Sequence, residues 1–391
     1  MTTLRAGVIG LGILGKQHAQ FLREQSTVDL VAVADIRDDL AQQVAGELGA
    51  QRYQDYQEML KEQTLDLVVV ATPDPLHRAP TLAAIQAGVP NIIQEKPLAT
   101  TLDDAQAIYE AVERTGTNLF LNFANRAAEL DLATRYVMQQ GLLGKVVHGE
   151  ARLDDNITVP TQMWGARTKE WVSGSSTCHF LLSHVIDLLR WYFAPAEVVD
   201  VYAIAQTEVL GYTPDLYDAF LTFDSGLKIR IKAGWIQHID ELVEFYMAFS
   251  GSTGTLLYNK LAGFQSNPGW RANFTPSQLD QATLLQHQAT LLSHAINVGA
   301  LIHQPMPATP NLAAGGGDLA LALEKRGAGK GGTLALIPPI LDAIAEETRQ
   351  PAAWPMLGPL PNHIDGLRQV AVVDAIIRSS ESGEPIALRS S

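Results

Sequence analysis

The 391-residue chain has a single cysteine, Cys178. One thiol excludes an internal disulfide and a cysteine-ligated metal cluster and fits a reducing compartment; Cys178 itself reads as a small buried hydrophobe. Basic residues are also scarce, 28 Lys and Arg against 42 Asp and Glu, for a formal charge of -14. Such a surface repels nucleic acid and anionic lipid, and no basic block with interleaved aromatics overrides it. No apolar run reaches the roughly 20 residues that span a bilayer, and Met1 leads into a strand-like pattern without a charged leader and cleavage site. The chain is therefore expected in the cytoplasm, with neither nucleic acid nor membrane as a partner. Apolar residues are plentiful, at 47% against 18% charged, the composition of a packed globular protein. At roughly 150 residues per domain, the length predicts two domains.

Between Arg5 and Phe123 short β-branched runs alternate with longer helical patterns, the signature of a parallel sheet covered by helices. The pattern predicts strands at Ala6 to Ile9, Leu30 to Ala34, Leu65 to Ala71, Asn91 to Gln94 and Asn118 to Phe123. Each is the mostly apolar run of a strand buried on both faces. Helices are predicted over Asp39 to Leu48, Tyr56 to Glu62, Ala79 to Ala87 and Asp103 to Arg114, with Gly49, Gly88 and Gly116 as C-terminal caps. After Ala127 comes one helix, Leu130 to Gln140, and then alternating stretches at 146–153, 198–206, 219–223, 227–235 and 243–250. That alternation predicts an α+β domain with a large, mostly antiparallel open sheet. Its apolar residues imply a face covered by another subunit, so a homodimer or homotetramer through this sheet is expected.

The stretch 274–333 holds a helical pattern over Leu284 to Leu301, a Pro-rich turn and the glycine clusters Gly315 to Gly317 and Gly327 to Gly332. It reads as an insertion, a surface excursion in preference to a lid. Helical periodicity returns over Leu336 to Thr348 and Ile364 to Ser379, and Gly383-Glu384-Pro385 leads into a last short strand. The domains are thus expected at 1–125 and 126–391.

The run Gly10-Leu11-Gly12-Ile13-Leu14-Gly15 follows the first strand directly and opens a helix, the context that a dinucleotide fingerprint requires. Gly10 permits the tight turn, Gly12 lets backbone approach a pyrophosphate, Gly15 lets helix and strand pack closely, and N–H groups at the helix start attract phosphate charge. Asp35 ends the second strand 20 residues beyond Gly15, where a carboxylate accepts hydrogen bonds from the adenosine ribose. These features predict a Rossmann domain binding NAD. NADP is the lesser expectation, because Asp35 would repel its extra phosphate, although Arg37 stands close enough in sequence to neutralise one. Glu95-Lys96-Pro97 comes just past a parallel strand, where open α/β sheets place ligands.

With these residues, and with Ala71-Thr72-Pro73, His77 and His184-Val185-Ile186-Asp187, the chain resembles the Gfo/Idh/MocA family of nicotinamide-dependent oxidoreductases. The resemblance covers most of the chain but not 274–333. It implies that Lys96 lies beside the nicotinamide and the reacting hydroxyl, that Pro97 is cis, and that Glu95 orients backbone or ribose groups. Thr72 and Pro73 would pack on the nicotinamide end, with His77 opening the next helix, and the run Gly174 to Asp187 would carry the acid–base residues on a helix. His184 is then the candidate to exchange the hydroxyl proton, a role suited to a neutral imidazole. Asp187 lies on the same helical face and is able to hold its ring. Relatives with polyol dehydrogenase character usually have an aspartate four residues before this histidine; here that residue is Phe180, which makes one wall of the pocket less polar. His179 points about 100 degrees away on a helix and is a poor substitute.

Further substrate-binding candidates are Arg126, Asp155 with Asn156, Trp164 and Arg167, the arginines suiting an acidic sugar. The remaining histidines show no metal-site spacing. The resulting expectation is an NAD-dependent oxidoreductase that transfers hydride between the nicotinamide and a secondary alcohol of a sugar, sugar acid or cyclitol. An NAD-binding metabolite sensor without turnover is the alternative, motivated by Phe180 and the glycine-rich stretch. Cofactor recycling without release of NAD is a third.

Overall fold

The computed structural model describes residues 3–163, 165–262, 267–275, 278–303 and 320–388, and the chain divides into two compact units. One collects Met1–Asn125, Glu170–Ser183 and Gly332–Asp374; the other collects Arg126–Lys169, His184–Gly331 and Ala375–Ser391. Each unit therefore draws on separated stretches of sequence, where the composition suggested a single cut after residue 125.

The first unit holds a six-stranded sheet, β1 (Leu4–Ile9), β2 (Val28–Ala34), β3 (Gln51–Tyr53), β4 (Leu67–Val70), β5 (Asn91–Gln94) and β6 (Asn118–Leu121), in the order β3-β2-β1-β4-β5-β6. All pairings are parallel. The apolar runs are continuous because both faces are covered: Val68, Val69, Ile92 and Ile93 are fully buried. The chain builds outward from β1 to β3 and returns to β4 on the other side of β1, so the strand order reverses between β1 and β4. Ligands of open α/β sheets bind outside the C-terminal ends of strands at such a reversal. Helices Ile13–Glu24, Asp38–Leu48, Tyr56–Glu62, Arg78–Gln86 and Leu102–Thr115 connect the strands. The last starts on Thr101, whose Oγ1 accepts from Asp104 N at 3.1 Å, and ends on Gly116 in the left-handed region. The sixth strand, β3, escaped the sequence pattern because three residues without an apolar run carry no periodicity.

The second unit holds a ten-stranded sheet made of β7 (Val146–Asn156), β8 (Val198–Gln206), β9 (Leu216–Phe223), β10 (Lys228–Gln237), β11 (Val243–Gly251), β12 (Gly254–Ala262), β13 (Gly269–Phe274), β14 (Gly299–His303), β15 (Ala320–Arg326) and β16 (Ile386–Ala387). The order is β14-β15-β13-β12-β11-β7-β10-β9-β8-β16, antiparallel except where β10 runs parallel to β7. Alternation is clear in β9, whose Tyr217, Ala219, Leu221 and Phe223 are buried. That face packs on helices. Tyr192, in helix Ser183–Phe193, meets Phe249 edge-on and donates to Asp131 in helix Glu129–Gln139, while Trp270 Nε1 donates to Thr134 at 2.9 Å.

The stretch expected as a surface excursion supplies sheet and helix instead. Its described parts are helix Gln281–Ser293 and strands β14 and β15 at one edge of the sheet. The predicted helix to Leu301 stops early because Ala295 enters the left-handed region at φ 61, which turns the chain into β14. Gly315 to Gly317 lie outside the described residues. Gly329 and Gly331 are glycines because helix Glu129–Gln139 begins against them: a Cβ on Gly329 would lie 2.7 Å from Leu130 Cγ, and one on Gly331 would lie 3.0 Å from Ala128 Cβ. Glu129 binds this region from both sides, accepting from Asn297 N and Lys330 N at 2.8 Å each. Replacing Glu129 with Ala removes the acceptor of two part-buried backbone donors, so we expect a loss of about 1–2 kcal/mol in urea unfolding. A loss under about 0.5 kcal/mol would show that the carboxylate does not hold this edge.

Candidate active site

The glycine turn lies at the strand-order reversal. Gly10 adopts φ 87, and a Cβ there would stand 2.7 Å from Ala71 O, at the end of β4. A Cβ on Gly15 would stand 1.8 Å from Gly10 O, so helix Ile13–Glu24 can pack on this turn only through glycine. A Cβ on Gly12 would meet nothing within 4 Å, and no side chain caps the helix start. The turn thus leaves open room directly before the N–H groups of Ile13, Leu14 and Gly15, as a pyrophosphate requires.

Asp35 ties this turn to β2. Its Oδ2 accepts from Leu11 N at 2.8 Å and its Oδ1 from Arg37 N at 2.9 Å, which fixes the carboxylate at the mouth of the turn. Arg37 Nε also points at Asp35 Oδ1, at 3.1 Å, so its charge is balanced by the carboxylate that favours NAD. Ile13, Ile36 and Leu76, on the turns that follow β1, β2 and β4, are 51%, 69% and 58% exposed. Ile36 and Leu76 were missed in the sequence, where an isolated aliphatic residue after a strand carries no signal. On neighbouring turns of one sheet edge, these residues form an apolar border suited to a dinucleotide.

Past β5 the chain turns inward. Glu95 is buried and accepts from His18 Nε2 at 2.6 Å and from Asn122 Nδ2 at 2.8 Å. Burial alone would raise its pKa, but the hydrogen bonds from His18 and Asn122 and the nearby Lys96 charge outweigh it and hold the carboxyl below its usual value. Glu95 is therefore a strut below the loop; His18 and Asn122, its partners across the sheet, have no signature in the sequence. His77, at the start of helix Arg78–Gln86, is likewise held by protein groups. Its Nδ1 lies 2.7 Å from Pro97 O and its Nε2 lies 2.9 Å from Thr72 O, so the imidazole is used up bracing two loops. Burial pushes it below its usual pKa, against the pull of those carbonyls and of Asp74 and Glu95. Thr72 is half-buried and Pro73 exposed at the lip of the sheet. The Lys96–Pro97 bond is cis, as the resemblance implied.

Lys96 is only 8% exposed; its Nζ donates to Phe180 O at 2.9 Å and lies 4.2 Å from the centre of the Phe180 ring. Phe180 belongs to a π-helical turn, Cys178–Leu182, that precedes helix Ser183–Phe193. The expected unbroken α-helix from Gly174 to Asp187 is thus interrupted; such turns recur at functional sites. His179 Nδ1 pairs with Ser176 Oγ at 2.9 Å, and burial lowers its pKa.

In the second unit His184 is half-buried on helix Ser183–Phe193, with Asp187 one turn on. Asp187 is 1% exposed and forms a forked ion pair with Arg126, itself 4% exposed, whose Nε donates to Asp187 Oδ2 at 3.0 Å. Arg126 is therefore sequestered by Asp187 and is not the open substrate-facing guanidinium that the sequence suggested. Asp155 is buried as well and accepts from Trp235 Nε1 at 3.1 Å, while Asn156 holds a turn through Ile239 O at 2.7 Å and Thr158 N at 3.0 Å. Arg167 is exposed. Trp164 lies outside the described residues. Among those residues no cluster of His, Cys, Asp and Glu forms a metal site, and no helix is long and apolar enough to cross a membrane.

Comparison with known proteins matches residues 4–123 to the oxidoreductase family with an NAD-binding Rossmann fold and residues 132–257 to the GFO/IDH/MocA C-terminal domain. The chain belongs to the GFO/IDH/MocA family. As a member it is an NAD-binding oxidoreductase, and the glycine turn and Asp35 lie within the matched Rossmann region. It is 27% identical over 333 residues to inositol 2-dehydrogenase of Rubrobacter xylanophilus, covering 82% of this chain and 89% of that relative. It is 34% identical over 227 residues to inositol 2-dehydrogenase of Acidothermus cellulolyticus, 56% of this chain and 62% of that one. Among solved structures, the WlbA dehydrogenase from Bordetella pertussis in complex with NADH and UDP-GlcNAcA matches with a TM-score of 0.71 and 20% identity, over 100% of both chains. The myo-inositol 2-dehydrogenase from Lactobacillus plantarum matches with a TM-score of 0.69 and 18% identity, over 99% of this chain and 100% of that one. At these identities the structures show a shared fold.

Gly12 and Gly15 separate binding from folding. Gly12→Val places its side chain in open space, so it should leave the melting temperature within about 2 °C while weakening NAD binding at least about ten-fold in calorimetry. Gly15→Ala should lower the melting temperature and abolish binding together. Undiminished NAD affinity in Gly12→Val would remove the pyrophosphate from this turn.

Proposed function

We propose that this family member transfers hydride between NAD and a secondary alcohol of a sugar, sugar acid or cyclitol, with the unit that opens with residues 1–125 binding the cofactor and the unit built on the ten-stranded sheet binding substrate. The observation that carries the reading is Lys96: a buried ammonium just past the C-terminal end of β5, held by Phe180 at the edge where the glycine turn opens. NAD, when bound, supplies the hydride acceptor. Lys96 holds the reacting oxygen and stabilises the negative charge that grows on it as its proton leaves. His184 exchanges that proton as a neutral imidazole. Asp187, fixed by Arg126, stiffens the helical turn that carries His184. Arg167 is the exposed cation that suits an acidic substituent. Inositol dehydrogenases among the relatives support a polyhydroxylated substrate. The reaction is proposed to run in the cytoplasm.

Phe180 favours keeping a second reading, an NAD-binding sensor without turnover, because a phenyl ring beside Lys96 can transfer no proton. Nicotinamide absorbance on a panel of polyols and acidic sugars separates the two. Turnover by the unaltered protein, with kcat reduced at least about hundred-fold in Lys96→Ala and in His184→Asn, is the expected result. Full turnover in Lys96→Ala overturns the assignment, and tight NAD binding with no exchange on any substrate favours the sensor.

We also propose that a second copy covers the outward face of the ten-stranded sheet. Tyr202, Phe220, Arg230, Glu150, Ala248 and Leu257 stand side by side across it in register. Tyr202, Phe220 and Leu257 are exposed there, and Arg230 is paired with Asp218. Ten strands at about 4.8 Å spacing give a face about 40 Å wide, ample for the roughly 800 Å² per partner of a stable dimer. Light scattering should return at least twice the chain mass of 42.4 kDa, falling toward one chain in Phe220→Glu; a monomeric unaltered protein refutes the assembly.

A further inference from the structure

The segment Glu170–Ser183 belongs to the first unit although it comes 45 residues after that unit's opening stretch ends at Asn125. One buried side chain, Asp74, ties the segment down at two points near Lys96. Asp74 follows Thr72-Pro73 at the lip of the sheet; its Oδ1 accepts from Trp171 Nε1 at 2.7 Å, and its Oδ2 accepts from Ser175 Oγ. The indole so fixed meets the Phe180 ring edge-on, with centroids 4.8 Å apart and planes at 80°. The same ring lies under the Lys96 ammonium at 4.2 Å, and the same residue's carbonyl takes its N–H at 2.9 Å. Each link is short and directional: a charge-assisted hydrogen bond, an edge-to-face ring pair and a cation over a ring face.

We propose that Asp74 is a positioning residue for Lys96, acting through Trp171 and the Phe180 ring. The inference rests on the reading of Lys96 as the group that holds the reacting oxygen. A lysine has a flexible four-carbon stem, and ordering it within a fraction of an ångström is worth orders of magnitude in rate. Asp74 supplies that order from the cofactor side of the sheet, so the lysine is aimed before substrate arrives. The Phe180 ring, held rigid by Trp171, then gives the reacting carbon an aromatic wall, which suits the C–H face of a ring-shaped carbohydrate.

Two variants test this, Trp171→Phe, which keeps a ring and removes the N–H, and Asp74→Asn, which keeps the shape and removes the charge. Sites are first counted by NAD binding, so that loss of folded protein is divided out. We expect kcat per NAD-binding site to fall about ten-fold in each, with NAD affinity and substrate KM within about two-fold of the unaltered protein. Unchanged kcat per site in Trp171→Phe, or a loss accounted for wholly by fewer NAD-binding sites, overturns the proposal and leaves Asp74 as scaffold. Lys96→Ala run beside them keeps the two ideas apart: if it retains full turnover, the reading of Lys96 fails whatever the other variants do. If it is inactive while Trp171→Phe and Asp74→Asn match the unaltered protein, only the role of Asp74 fails.

Discussion

Everything in the cofactor domain depends on how closely three stretches of backbone approach one another where the strand order reverses. A methyl group on Gly15 would overlap Gly10 O, and one on Gly10 would collide with the carbonyl that ends β4. Because neither is present, the first helix starts almost in contact with the sheet, and its N–H groups point into the gap between β1 and β4. Asp35 then closes the arrangement by holding Leu11 N from β2. The geometry is a backbone property, and it demands glycine only at the points of contact.

Beneath the loop after β5 the protein keeps a polar interior that ordinary packing would avoid. Glu95, His18 and Asn122 form one network, and Asn122 Nδ2 also donates to Thr333 O at 2.8 Å. A buried carboxylate is tolerated only with such partners. The return is orientation: Glu95, Lys96 and the cis bond to Pro97 follow one another, so fixing the first fixes the direction from which the next side chain leaves. His77, clasped between Pro97 O and Thr72 O, stiffens the same loop from the other side.

The parallel sheet and its glycine turn were legible because each rests on local pattern: apolar runs, capping glycines and a carboxylate at fixed spacing. Strand β3 was not, since its three residues gain their conformation from β2 alone. Lys96 could be singled out through its motif, whereas Asp74, His18 and Asn122 act through partners far along the chain that no local spacing reveals. Arg126 and Asp155 were read as open polar groups and proved to be buried, because a sequence shows a charge without showing the partner that sequesters it, Asp187 for the first and the Trp235 indole for the second. The glycines at 329 and 331 suggested a pliant arm for a related reason: in sequence, close approach and slackness look the same.

The interleaving of the two units has a consequence for how such a protein can be taken apart. The chain passes from one unit to the other at residues 125, 169, 183, 331 and 374. No single cleavage point yields either unit whole, and a fragment ending at Asn125 would lack both the stretch that Asp74 grips and the backbone of Thr333 that Asn122 reaches. Modular exchange, in which a cofactor half is grafted onto a new substrate half by one crossover, is therefore closed to this architecture. Divergence of substrate range is then left to replacement of side chains within a chain whose two units alternate along the sequence.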